Sequence, residues 1–168
     1  AGGAAAAAVA LVVGLPLLRL RGPYFTVGSL LLVKVLAVVV LNSPLLGGGG
    51  GLWLPPPPLD IAALRSLVYR AAVALTALAT LAAWGIQHSK LGLGLSAIRE
   101  DEDVAGGLGV DTLRLKLIAL GISAAITGAV GSVYAYERGN IYVETMFDLN
   151  ISVLIVLSAL LGGAGHWA

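Results

Sequence analysis

The chain has 168 residues, 58% of them hydrophobic and 11% charged, with a mean hydropathy of +0.96. Soluble domains usually charge roughly a quarter of their residues, and a soluble core of this size could not hide so much apolar surface. A formal net charge of +1 excludes the basic field that gathers nucleic acid, and the absence of cysteine removes disulfides and thiolate metal sites.

A membrane helix needs about 20 mostly apolar residues at about 1.5 Å each. Ala1 to Leu18 is apolar throughout and meets Arg19 without the charged start of a signal peptide, so it reads as the remainder of a membrane helix. The chain opens on Ala-Gly-Gly and stops in a Gly-rich apolar stretch at Ala168, and both ends read as cut. Arg19, Arg21, Gly22 and Pro23 then make a tight basic turn into a second span over about 24–41.

Within that second span stands Lys34, about 15 Å along the helix. A lysine at such depth costs roughly 2.5–3.5 kcal/mol on insertion scales and usually faces a cavity or a partner. Lys34 is therefore a candidate for a functional role at such a cavity or partner, with pairing in the bundle and snorkelling as the other readings. Residues 42–58 follow, with five successive glycines and four successive prolines. They read as a flexible and then extended connector, or as low-complexity spacer.

The third span is expected over about 67–87 and the fourth over about 115–136, separated by a charged loop, 88–114. In that loop Ser96 to Val104 is helix-compatible and mixes Ala97, Ile98 and Val104 with Arg99, Glu100, Asp101, Glu102 and Asp103. Gly106 and Gly107 can end such a helix, and Asp111 or Thr112 can cap the next. A short amphipathic helix held between two spans lies across the membrane axis and can pass force from a soluble partner, whereas a plain charge run is a solvated loop. The fourth span carries small residues at four-residue intervals, Ala124, Gly128 and Ser132 beside Gly121, Ala125 and Ala129, which lets another helix approach closely.

The fifth span, about 151–168, is incomplete or broken: Ile151 to Leu161 is too short to cross alone, and Gly162, Gly163 and Gly165 interrupt it. Those glycines either open the backbone beside a cavity, as broken helices do in transporters, or lie in an ordinary span that continues. Glu137, Arg138, Glu144 and Asp148 fall outside, to meet a binding protein or water. Basic residues favour the cytoplasm. With the Arg19 turn inside, Arg21, Lys90, Arg99, Arg114 and Lys116 are also inside, and Arg65, Arg70 and Arg138 are outside.

Three runs carry a family resemblance: GLPLLRLRGPYFT from Gly14, SKLGLGLSAIREDEDVAGGLGVDTLRLKL from Ser89, and LLGGAGHW from Leu160. In order and spacing they resemble the inner-membrane permease subunits of branched-chain amino acid ABC transporters over nearly the whole chain. Asp103, Val104, Ala105 and Gly109 fall where the Glu-Ala-Ala-x-x-x-Gly pattern of the coupling loop places its members, with Asp replacing Glu and Val replacing Ala. The resemblance implies an all-α, polytopic transmembrane helical bundle with a short cytoplasmic coupling helix. It also implies cytoplasmic ABC ATPase subunits, a second homologous permease, and a periplasmic or lipid-anchored binding protein as partners.

Ser96 to Gly109 would then sit in a groove of the ATPase, with Ser96, Arg99, Glu100, Asp101, Asp103, Ala105 and Gly109 as coupling residues. Lys34, Gly162 and Gly163 are the candidates for the translocation path or permease interface. No phosphate loop, nucleophile elbow or zinc helix occurs, and His88 and His166 lie far apart, so no catalytic residue, metal or cofactor is expected in this chain. ATP hydrolysis would belong to a partner. The expected role is inner-membrane import of branched-chain amino acids. Urea, short amides or sugars are the alternative cargo, and a scaffold or carrier without an ATPase is the alternative of another class.

Overall fold

The computed structural model describes residues 2–18, 20, 23–44, 47–53 and 60–162. Among the described residues the chain is all-α apart from one short strand pair. Its helices in order are α1 (Gly2–Leu17), α2 (Pro23–Leu41), α3 (Ile61–Gln87), α4 (Lys90–Glu100), α5 (Glu102–Gly107), α6 (Thr112–Arg138), α7 (Val143–Met146) and α8 (Leu149–Leu161). The strands are β1 (Leu52–Trp53) and β2 (Asn140–Ile141). Among the described residues, three stretches are long and apolar enough to cross a membrane: Ala62–Gln87, Thr112–Arg138, and Val143–Leu161, which takes in α7 and α8. Two shorter apolar helices cover Gly2–Leu17 and Val27–Leu41.

The chain divides into two units. The first holds α1 and α3 to α6. Here the small-residue stripe of α6 receives α1: a Cβ added to Gly128 would meet the Ala6 side chain, the Gly2 carbonyl oxygen at 3.0 Å and Gly3 Cα at 3.2 Å. One added to Gly3 would lie 2.7 Å from the Ala125 carbonyl oxygen. Backbones this close gain dispersion contacts, the main attraction between helices in lipid.

Two helices begin earlier than composition suggests. α3 and α6 each run 27 residues, about 40 Å, longer than a ~30 Å hydrocarbon core. The additional turns take in charged residues of helix-favouring type, Arg65 in α3 and Arg114 in α6. In α3, Arg70 also bonds back to Ser66 O at 3.1 Å and Ser66 Oγ at 3.2 Å. Hydroxyls inside the long helices bond to carbonyls one turn back, Thr76 to Ala72 and Thr127 to Ser123, so neither exposes an unpaired donor. α6 ends at Arg138, which lies over the Tyr134 ring and suits the negative helix end, and Gly139 at φ +69° turns the chain away.

The second unit holds α2, β1, β2, α7 and α8. α2 ends where Asn42 Nδ2 and Ser43 Oγ donate to the Val38 and Val39 carbonyls, each at 2.8 Å, covering acceptors the helix leaves open. Gly48–Gly50 form one 3-10 turn between left-handed Gly47 and positive-φ Gly51, and β1 then pairs antiparallel with β2, Leu52 opposite Ile141. Among the described residues, Ala37, Ala105 and Val143 are the buried hydrophobic ones. Large side chains such as Leu154 and Leu161 stay exposed, as befits surfaces that face lipid or other helices.

Candidate functional site

The charged loop between α3 and α6 is a folded connector. α3 stops at Gln87, and Ser89 Oγ donates to the Ile86 carbonyl at 2.7 Å while accepting from Gly92 N, so one hydroxyl closes α3 and caps α4. The turn demands glycine at 92, since a Cβ there would lie 2.8 Å from the Gln87 carbonyl oxygen and closer still to that of Ile86. Gly94, one turn into α4, lies against Leu115 of α6.

Composition favours one helix over Ser96–Val104, but the chain divides there at Asp101. Its backbone is extended, φ −157° and ψ 116°, and its Oδ1 accepts from Asp103 N at 2.9 Å and Val104 N at 3.0 Å. An aspartate that caps its own successor competes with helix continuation, so the acidic run yields a joint between α4 and α5. The end of α5 is equally specific. Val110 N donates to Ala105 O and Gly109 N to Gly106 O, each at 3.1 Å, with Gly109 left-handed at φ +85°. This is a Schellman closure, and it gives a backbone reason for glycine at the last position of the coupling pattern.

α6 begins at once. Asp111 Oδ1 accepts from Arg114 N at 3.2 Å, and its Oδ2 pairs with Arg114 Nε at 2.8 Å. Glu102 of α5 forms an ion pair with Lys116 of α6. Both partners are about three-quarters removed from solvent, so the pair ties α5 to the base of the span without burying a naked charge.

The expected coupling residues thus lie on one short segment in three settings. Ser96, Arg99 and Glu100 are exposed on α4; Asp101 and Asp103 are exposed at the joint and the start of α5; Gly109 closes α5. Ala105 differs: it is 2% exposed, so it lets α5 approach its neighbours and presents nothing outward. Val104 and Leu108, 58% and 79% exposed, set apolar side chains among the acids. Leu108 sits in a glycine-rich turn and the Glu102–Lys116 spacing fits no local helical rule, so neither stands out in the sequence.

Lys34 lies in the second unit. It is exposed on α2 and lines a cavity of about 260 Å³ with Glu144 of α7 and Asp148 between α7 and α8. Gly162 is the C-cap of α8, with right-handed backbone, and donates to Ser158 O at 2.9 Å. Gly163 lies outside the described residues. No group of three metal-ligating side chains occurs among the described residues.

A family model described as the branched-chain amino acid transport system / permease component matches residues 1–168. The high-affinity branched-chain amino acid transport system permease protein LivM of Escherichia coli (strain K12) is 28% identical over 190 residues, covering 97% of this chain and 44% of the relative. Its counterpart in Salmonella typhimurium (strain LT2) matches with the same identity and coverage. The chain spans less than half the length of these curated relatives. No solved structure matches.

Proposed function

The chain belongs to the branched-chain amino acid transport permease family, and on that premise we propose that it is part of the membrane subunit of an ATP-driven importer for branched-chain amino acids. It works as a transport subunit and leaves ATP hydrolysis to a partner. α4 and α5 lie on the cytoplasmic side and dock on an ABC ATPase. A second permease completes the gate, a substrate-binding protein delivers the amino acid from outside, and the assembly resides in the inner membrane.

The observation that carries this reading is the build of the α3–α6 connector. A loop that only joined two spans would need no more than a few polar residues. Here two short helices are capped at Ser89, Asp101 and Gly109 and tied to α6 by Glu102–Lys116. A stiff connector passes a displacement of its docked face to α3 and α6 together, where a slack one would absorb it. The exposed acids, with Val104 and Leu108 between them, supply the charged and apolar contacts of a docking surface.

The test uses the intact transporter that contains this chain. Asp103→Lys and Leu108→Asp are expected to abolish co-purification of the ATPase and ATP-driven leucine uptake while membrane insertion persists. Unchanged docking and uptake in both variants would refute the assignment. Uptake of urea or a sugar with indifference to leucine would move the cargo to the alternative class.

A further inference from the structure

The Lys34 cavity has a composition suited to one kind of small molecule. Lys34 stands twelfth in the 19-residue α2, about 16 Å along it, where an ammonium group requires compensation. Two carboxylates line the same cavity, yet among the described residues neither Lys34 nor Glu144 makes an ion pair or side-chain hydrogen bond. Asp148 uses Oδ1 to accept from Asn150 N at 2.9 Å and Asn150 Nδ2 at 3.0 Å, which caps α8 and fixes that carboxylate at the cavity wall. The rest of the lining is apolar, chiefly Val38, Leu41 and Phe147.

Opposite charges that share a cavity without touching leave room for a molecule carrying both signs. Size narrows the class: 260 Å³ is roughly the share of nine waters in the liquid and falls below the ~300–1,000 Å³ of sites that take drug-sized ligands. We propose that this cavity binds the zwitterionic head of one free aliphatic α-amino acid. Lys34 Nζ donates to the α-carboxylate, Glu144 and Asp148 accept from the α-ammonium, and Val38, Leu41 and Phe147 cover the side chain. The proposal rests on the transport reading above and deepens it, because an uncharged cargo such as urea or a sugar would leave charges of both signs unmatched.

The test measures leucine uptake against concentration in proteoliposomes holding the intact transporter, with basal ATPase activity as the check on assembly. Lys34→Met and Glu144→Gln are each expected to raise KM about 10-fold or more, the loss of one charge-assisted contact. The double exchange Lys34→Glu with Glu144→Lys is expected not to restore KM, since the apolar lining still fixes which end of the ligand points where. In a second measurement on the wild-type transporter, leucine is expected to raise Tm, while leucinamide and 4-methylpentanoate at the same concentration do not. Leucine uptake with unchanged KM in both single variants, full rescue by the double exchange, or equal Tm shifts for all three compounds would overturn the site and leave the transport reading intact. A wild-type transporter that takes up no amino acid would overturn the transport reading, and the site with it.

Discussion

Gly109 holds φ at +85°, a conformation that costs residues with a side chain about 1–2 kcal/mol. Nothing lies within 4 Å of the position its Cβ would take, so Gly109→Ala strains the backbone without a clash. It is expected to loosen the end of α5 and lower ATP-driven uptake several-fold, with membrane insertion unchanged in a protease-protection assay. Asp101→Ala removes the Oδ1 that accepts both cap bonds of α5, a loss of about 1 kcal/mol; Asp101→Asn keeps an oxygen there and is expected to retain most of the uptake. If the charge of Asp101 rather than its capping were what mattered, Asn would fail as badly as Ala. The sequence made both residues visible, Gly109 through the resemblance and Asp101 through the acidic run. It did not show that Asp101 divides the segment, because one aspartate can begin a helix or lie within one, and the choice rests on the backbone angle it adopts.

For whole helices, legibility followed from composition where lipid is the solvent. A bilayer demands continuous backbone hydrogen bonding and an apolar surface, and both can be read off runs of Ala, Val and Leu. The stripe on α6 was equally readable, since small residues four apart have a plain packing use; its occupant, α1, was not, because any helix with glycines could fill it. Gly128→Leu puts a bulky side chain where Ala6 and the α1 backbone lie, an overpacking cost of about 1–3 kcal/mol. The expected result is a lower Tm in detergent and loss of disulfide formation between cysteines placed at Leu11 and Gly121, which face each other across the seam. Gly131→Leu on the same helix meets open space and is expected to leave both readouts unchanged.

For the molecule as a whole, what the sequence could not supply are relations between distant segments. Lys34 was conspicuous on its own, but Glu144 and Asp148, more than a hundred residues later, read as groups outside the membrane that meet a binding protein or water, until the chain's return placed them on the same cavity. Glu102 and Lys116 stayed unlinked for the same reason. Family membership was legible because the charged connector and the glycine-rich runs are distinctive in kind and order. Direction across the membrane remains the point on which the proposed function turns, and the cysteine-free chain makes it directly measurable. Leu108→Cys, at a position 79% exposed, is expected to react with a membrane-impermeant maleimide in inverted vesicles stripped of ATPase, to be shielded when the ATPase is added back, and to stay silent in intact cells. Labelling from outside intact cells would contradict the account.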